Sequence, residues 1–247
     1  MIKLTDIKTV APENIDKSEI KDKTEKLSQK IADLQYKLYA EGKKSILLIL
    51  QGMDASGKDG VAMSMFGKCH PGGVTVHSFK RPTEIETSHD FLWRVHQIAP
   101  PKGMIHLFNR SHYEDVLIQR VHKWIDEERV EKRFAAINAF EDLLQFDNQT
   151  VVLKFFLNIS KERQKEKLQE RIDTPEKNWK HNDGDWKERE LWDDYMRCYE
   201  DVLNRCDKVP WHIVPADQQW YRDYVATKII HDTLVELDCQ YPLLEKK

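Results

Sequence analysis

The chain has 247 residues, with 39 Lys plus Arg against 42 Asp plus Glu, a formal net charge of -3, 40% hydrophobic and 33% charged residues. That length suits a single α/β domain with an ample core, and the charge balance argues against a dedicated nucleic-acid or membrane-surface binder. The composition is too apolar for disorder and too polar for a membrane protein, and no apolar leader opens the chain, so we expect a soluble, cytoplasmic protein.

In chain order, residues 1–17 show no period and read as an arm. From Ser18, taken as the N-cap, Leu27, Ile31, Leu34 and Leu38 recur at helical spacing until Gly42, where a helix would stop. The continuously apolar run 45–50 followed by glycines predicts a strand buried on both faces of a parallel sheet. Further strands are predicted over 74–79, 104–108, 150–157 and 211–214, and helices over 58–68, 84–97, 112–122, 130–146, 160–172, 186–205 and 218–237. Such alternation implies right-handed crossovers and a parallel sheet with helices on both faces, whose ligands gather at the carboxyl ends of the strands. Residues 173–185 (DTPEKNWKHNDGD) interrupt two charged helices where a lid would sit, so the expected division is 1–44, arm and helix, and 45–247, catalytic domain, with a lid at about 161–189. Four scattered cysteines without a C-x-x-C pair read as reduced, packed thiols.

The strongest chemical signal is Gly52-Met-Asp-Ala-Ser-Gly57-Lys58-Asp59-Gly60, a phosphate loop between a strand and a helix. Its backbone N–H groups at Ala55, Ser56, Gly57, Lys58, Asp59 and Gly60 would cradle phosphate oxygens, the helix N-terminus adds its dipole, and Lys58 adds a point charge. The usual hydroxyl after the lysine is replaced by Asp59, and Asp54 lies inside the loop. Two acids beside phosphates imply a bridging divalent cation, unless one of them, Asp59 above all, is a turn or capping residue. The third strand runs into Asn109-Arg110-Ser111-His112-Tyr113-Glu114-Asp115, which should place Arg110 and Asp115 beside the phosphates. Arg110 then compensates charge on a transferred group and Asp115 serves as a metal carboxylate; the rival reading is an N-cap network with a surface arginine. Lys80 and Arg81, stopped by Pro82, mark either a second anion site or a basic turn. Arg163, Lys167 and Arg171 form a basic stripe, but residues 161–189 hold nine Lys or Arg against eight Asp or Glu. Most of these are therefore expected in solvated ion pairs, with Arg171 at the lid hinge the exception and exposed in the absence of ligand. No H-E-x-x-H or G-x-S-x-G pattern supports a zinc site or a serine hydrolase.

The strings LQGMDASGKDG, SFKRPT with SHDFLWRVH, FNRSHYEDVL, TVVLKFFLNISKERQKEKLQERID, NWK, and ELWDDYMRCYEDVL through PWHIVPADQQW resemble the second family of polyphosphate kinases, in that family's order and over about 45–237. The resemblance implies a P-loop kinase fold like that of thymidylate kinase, with a five-stranded parallel sheet and a helical lid. It also implies Mg²⁺-dependent transfer between inorganic polyphosphate and nucleotides, with Mn²⁺ as a possible substitute. By resemblance Asp54 and Asp115 organise the metal, and Lys58, Arg110 and Arg171 are the loop, strand-end and lid cations. Glu114, with Asn109 and Arg110 on the nucleotide side, looks like the branch that phosphorylates AMP to ADP and ADP to ATP. We expect a homo-oligomer, dimer or tetramer, with no nucleic-acid or membrane partner. The rivals are an ATP-dependent nucleoside monophosphate kinase and a non-catalytic nucleotide-binding module; the charged residues expected to face one cleft favour chemistry.

Overall fold

The computed structural model describes residues 1–244. After a 3-10 turn at Leu4–Asp6, α1 (Lys17–Glu41) leads into β1 (Ser45–Gln51), then α2 (Lys58–Phe66), β2 (Val74–Ser78), α3 (Glu84–Thr87), α4 (Trp93–His96) and β3 (Ile105–Asn109). A 3-10 turn at His112–Val116, α5 (Ile118–Val121), α6 (Glu127–Asn148) and β4 (Thr150–Asn158) follow. The remaining elements among the described residues are α7 (Lys161–Asp173), a 3-10 segment at Pro175–Lys180, α8 (Asp183–Glu190), α9 (Trp192–Arg205), β5 (Trp211–Pro215) and α10 (Gln219–Leu237). The five strands form one parallel sheet in the order β2-β3-β1-β4-β5.

Every residue of β1 is buried, as its unbroken Ile and Leu run requires of a central strand covered on both faces. Leu48 lies in register with Leu107 of β3 on one side and Leu153 of β4 on the other. The crossovers depart to opposite sides of β1, so the switch point, and with it a crevice for ligands, falls where β1 ends and the phosphate loop begins. Lys154 in β4 is wholly buried; its Nζ donates to Glu141 Oε2 at 2.7 Å, Tyr113 OH at 3.0 Å and the Cys206 carbonyl at 2.7 Å. That paired charge ties α6 and the turn after β3 to the sheet.

Local signals mislocate several boundaries. The first helix is capped by Asp16, whose side chain accepts from Glu19 N at 2.7 Å, and not by Ser18. Gly42 does stop it, in the left-handed conformation. The helix expected over 84–97 is two short ones, and between them Asp90 Oδ1 accepts from Leu92 N at 3.0 Å, a local bond that competes with the helical ladder. The one expected over 112–122 opens as a 3-10 turn, with Ser111 accepting from Tyr113 N. The one expected over 186–205 breaks at Leu191 (φ -90°, ψ 18°), which lets α9 bury Trp192 and Tyr195 while α8 buries none of its residues. Residues 173–185 hold a regular 3-10 segment between α7 and α8. The N-terminal arm is docked on the body: Ile2 N donates to Asn204, Leu4 N to Glu200, and Asp217 N to the Thr9 carbonyl, and Leu4 is buried. All four cysteines are free thiols, three of them buried. Among the described residues no helix is long and apolar enough to cross a membrane.

Candidate active site

The phosphate loop is shaped by backbone that few side chains tolerate. Ala55 (φ 64°) and Gly57 (φ 94°) are left-handed, and Gly57 precedes α2, so the first N–H groups of that helix face the crevice without intrahelical partners. Gly52 lies against β4, where a Cβ would come within 2.8 Å of the Leu157 carbonyl. Arg110, at φ 61°, is another non-glycine residue held left-handed, and its N–H bonds the Leu50 carbonyl at 3.0 Å. Such strain, placed at the carboxyl ends of β1 and β3, marks a backbone held for a purpose other than stability.

A cavity of about 380 Å³ opens over the loop, lined by Asp54, Ala55, Gly57, Lys58, Asp59 and Gly60, by Asn109 and Arg110, by Lys167, Glu170, Arg171, Lys177 and Lys180, and by Gln219. Cations outnumber carboxylates among these, as a polyanion site needs. Lys58 is nearly buried and donates to the carbonyls of Gly52 at 2.8 Å and Met53 at 3.2 Å. Burial lowers its pKa, against the pull of Asp54. Arg110 pairs with Asp54 and lies 4.0 Å from Glu114. Burial pushes Asp54 up, but Arg110, Lys58 and Arg171 outweigh it and hold the carboxyl below its usual range. Burial raises Glu114, only partly offset by Arg110 and Lys58.

A second cavity, of about 500 Å³, lies on the other side of Arg110. It is lined by the apolar Phe79, Pro82, Ile118 and Trp124 and by the charged Lys80, Arg81, Arg94, Glu114 and Asp115. Asp115 is almost enclosed: Arg94 Nη2 lies 3.4 Å from Oδ2, Gln119 donates to Oδ1, and Arg133 lies 4.0 Å away. Burial raises its pKa against the two arginines.

The structure thus brings together Asp54, Lys58, Asp59, Asn109, Arg110 and Arg171 in the loop cavity, and Lys80, Arg81, Glu114 and Asp115 in the second, with Arg110 common to both. It does not bring Asp54 and Asp115 into one cavity. Ser56 is buried beneath the loop with its hydroxyl unpartnered. Asp59 is no cap; it accepts from Asn109 Nδ2 at 2.7 Å and joins the start of α2 to the end of β3. Arg171 is not exposed: its Nη1 donates to Asp185 Oδ2 at 2.6 Å and to the Lys180 carbonyl at 3.2 Å. The lid residue expected to be free is held by α8. Arg163 and Lys167 pair with Glu166 and Glu170, as a solvated charged helix should.

Sequence reasoning passed over three supports. Buried Gln164 of α7 donates to the Asp54 carbonyl at 3.1 Å and accepts from Arg189 of α8, linking the excursion to the loop. Arg94 sits inside a quoted motif, yet nothing in its spacing reveals that it meets Asp115. Arg222 of α10, 5% exposed, donates to the Ser56 carbonyl at 3.1 Å and pairs with Asp223, its guanidinium packed against Gly57 and Gly60. The only sequence signal for Arg222 is a charge on the inner face of a largely apolar helix.

Fold and site together define an α/β protein with a phosphate loop at the switch point of a parallel sheet. A family model described as Polyphosphate kinase 2 (PPK2) matches residues 14–242, and the chain belongs to that family. The AMP/ADP-polyphosphate phosphotransferase of Meiothermus ruber is 46% identical over 218 residues, 87% of this chain and 81% of that protein. The ADP-polyphosphate phosphotransferase of Rhodopseudomonas palustris is 41% identical over 228 residues, 87% of this chain and 78% of that protein. The crystal structure of Polyphosphate Kinase 2 from Arthrobacter aurescens TC1 superposes with a TM-score of 0.94 at 41% identity, covering 100% of this chain and 89% of that one.

Proposed function

We propose that the protein is a kinase that transfers phosphoryl groups from inorganic polyphosphate to AMP, giving ADP, and to ADP, giving ATP. The observation that carries this reading is the pair of cavities meeting at Arg110: one cationic and set over a phosphate loop, the other lined by both apolar and charged side chains. The first suits a phosphate chain and the second a nucleoside whose phosphates point at the junction. The names of the Meiothermus and Rhodopseudomonas relatives support the same donor and acceptors.

Phosphoryl transfer asks for positioning and charge compensation more than for covalent chemistry. Loop N–H groups would grip the donor phosphates while Lys58 exchanges its carbonyl contacts for phosphate oxygens. Arg110, at the junction, would compensate charge on the group in flight, and Arg171 would do so from the lid formed by α7 and α8. Glu114, 4.0 Å from Arg110, would orient that guanidinium toward the acceptor. Lys80 and Arg81, which also line the second cavity, would hold acceptor phosphates.

No group of three or more His, Cys, Asp or Glu side chains able to hold a metal occurs among the described residues. The Asp54 carboxylate, in the loop cavity and held below its usual pKa range by Arg110, Lys58 and Arg171, fits Mg²⁺, which binds through one or two carboxylates and substrate phosphates more readily than in an all-protein cage. Asp54 and, from the second cavity, Asp115 would hold Mg²⁺ or Mn²⁺, which would supply charge to neutralise the phosphates. In this arrangement Asp115 must give up its contact with Arg94. The test is an assay without ATP, containing long-chain polyphosphate, Mg²⁺ and AMP. Formation of ADP and then ATP is expected; no product, with turnover only when ATP is the donor, would move the protein to the nucleoside monophosphate kinases.

A further inference from the structure

Outside the two reaction cavities, one basic recess takes no part in the function above. It measures about 410 Å³ and lies between α1, α2 and α10, lined by Lys17, Lys21, Ser64, Lys68, Gln219 and Trp220, with Glu25 and Asp223 also in its wall. Lys17, Lys21 and Ser28 stand on one face of α1 at helical spacing, so their clustering follows from the period of that helix. Gln219 lines this recess and also the phosphate-loop cavity. A shallow third recess, lined by Lys17, Arg163, Gln219 and Trp220 among others, adjoins the same corner. Gln219, the first residue of α10, is therefore shared by the loop cavity and both recesses, where Lys17, Lys21, Lys68 and Arg163 stand beside the acids Glu25, Asp217 and Asp223.

The ion pairs of the recess separate its cations. Lys68 is paired with Glu25, and Asp223 is taken by Arg222. Lys17 and Lys21 make no ion pair among the described residues. On the lid side of the loop cavity, by contrast, Lys167 and Lys177 share Glu170. An unpaired lysine keeps its full attraction for an anion, whereas a paired one must first exchange its partner. Each internal phosphoryl of polyphosphate carries a negative charge, and a long donor chain extends well beyond the phosphate that reacts.

We propose that the Lys17–Lys21 recess is a seat for the distal part of the polyphosphate chain, entered from the loop cavity past Gln219 and felt only by long donors. The inference rests on the functional reading above, and it assigns chain-length preference to residues remote from the reacting phosphate. Lys17 and Lys21 lie on an exposed helix surface, so their replacement leaves the core intact.

The experiment compares wild type with Lys17→Glu/Lys21→Glu and Lys17→Ala/Lys21→Ala, using long-chain polyphosphate and tripolyphosphate as donors and ADP as acceptor. With long chains KM should rise about tenfold in the charge-reversed variant and less in the alanine variant, at unchanged kcat. With tripolyphosphate neither constant should move. The dependence of the long-chain KM on salt should weaken in both variants, because fewer counterions are released per chain bound. An unaltered long-chain KM, or equal shifts with both donors, would overturn the inference while the kinase reading stands. A wild-type protein inert toward polyphosphate of every length would overturn the kinase reading and this inference with it.

Discussion

Replacing Gly57 by alanine tests the architecture of the loop most directly. The residue sits at φ 94°, where an L side chain is strained, and a Cβ would overlap Nη1 of Arg222 and lie 2.7 Å from its Cζ. The backbone term costs about 1–2 kcal/mol. Arg222 is the flexible partner and can swing aside, but only by leaving the Ser56 carbonyl and Asp223; the side chains of Arg222 and Asp223 are 6% and 14% exposed. Breaking a buried pair of this kind costs about 3–5 kcal/mol. Together the loss is about 4–7 kcal/mol, a large part of the total stability of an ordinary domain, and it lowers Tm by roughly 10–25 °C for a chain of this size. Thermal unfolding followed by circular dichroism measures it, alongside the polyphosphate and ADP assay, where turnover should fall because the loop N–H groups are displaced. In an Arg222→Ala background the overlap is gone, so Gly57→Ala should cost only the backbone term. A double-mutant cycle should therefore show coupling of about 3 kcal/mol or more. If the two substitutions proved additive, or Gly57→Ala kept wild-type Tm and rate, Arg222 would not be the support beneath the loop.

Other expectations follow from the same geometry. Asp54→Asn and Asp115→Asn should each reduce kcat by about 100-fold or more, as loss of a transition-state electrostatic group does; activity should vanish with a chelator and return with Mg²⁺ or Mn²⁺. Wild-type turnover by Asp54→Asn without metal would reduce that carboxylate to a turn residue. Arg171→Ala should lose most transfer and also lower Tm, because it leaves Asp185 without its partner, and Lys161→Ala should be mild; near-normal kcat and polyphosphate KM in Arg171→Ala would remove it from the site. Hydrogen bonds from Lys167 and Lys177 hold Glu170 down to about 2, from an ordinary 4.5. A carboxylate lowered on folding adds stability above its ordinary pKa and loses it as pH falls through the folded one. Amide exchange in α7 and in Pro175–Lys180, corrected for intrinsic rates, should therefore quicken between pH 4.5 and 2; Glu170→Gln should show no such window, and a wild type equally insensitive would refute the pairing.

What the sequence by itself determined is local. The phosphate loop, the strand before it and the helix after it occupy consecutive residues, so glycine placement, apolar run and helical period all act on the same short stretch of backbone. The parallel sheet was legible for a similar reason, since apolar runs separated by helical periods admit few topologies. What tertiary structure alone decided is which charges meet. Asp54 and Asp115 look equivalent in sequence, yet one faces Arg110 over the loop and the other is enclosed by Arg94, Gln119 and Arg133 in a second cavity. Arg171 was expected to be free and is held by Asp185, and Arg222 lies under a loop 166 residues away in the chain. Spacing sets the face of a helix or strand on which a charge lies, but its partner is chosen by strand order and helix packing. Those bring distant segments within a few ångströms, where burial makes each charge depend on its neighbours.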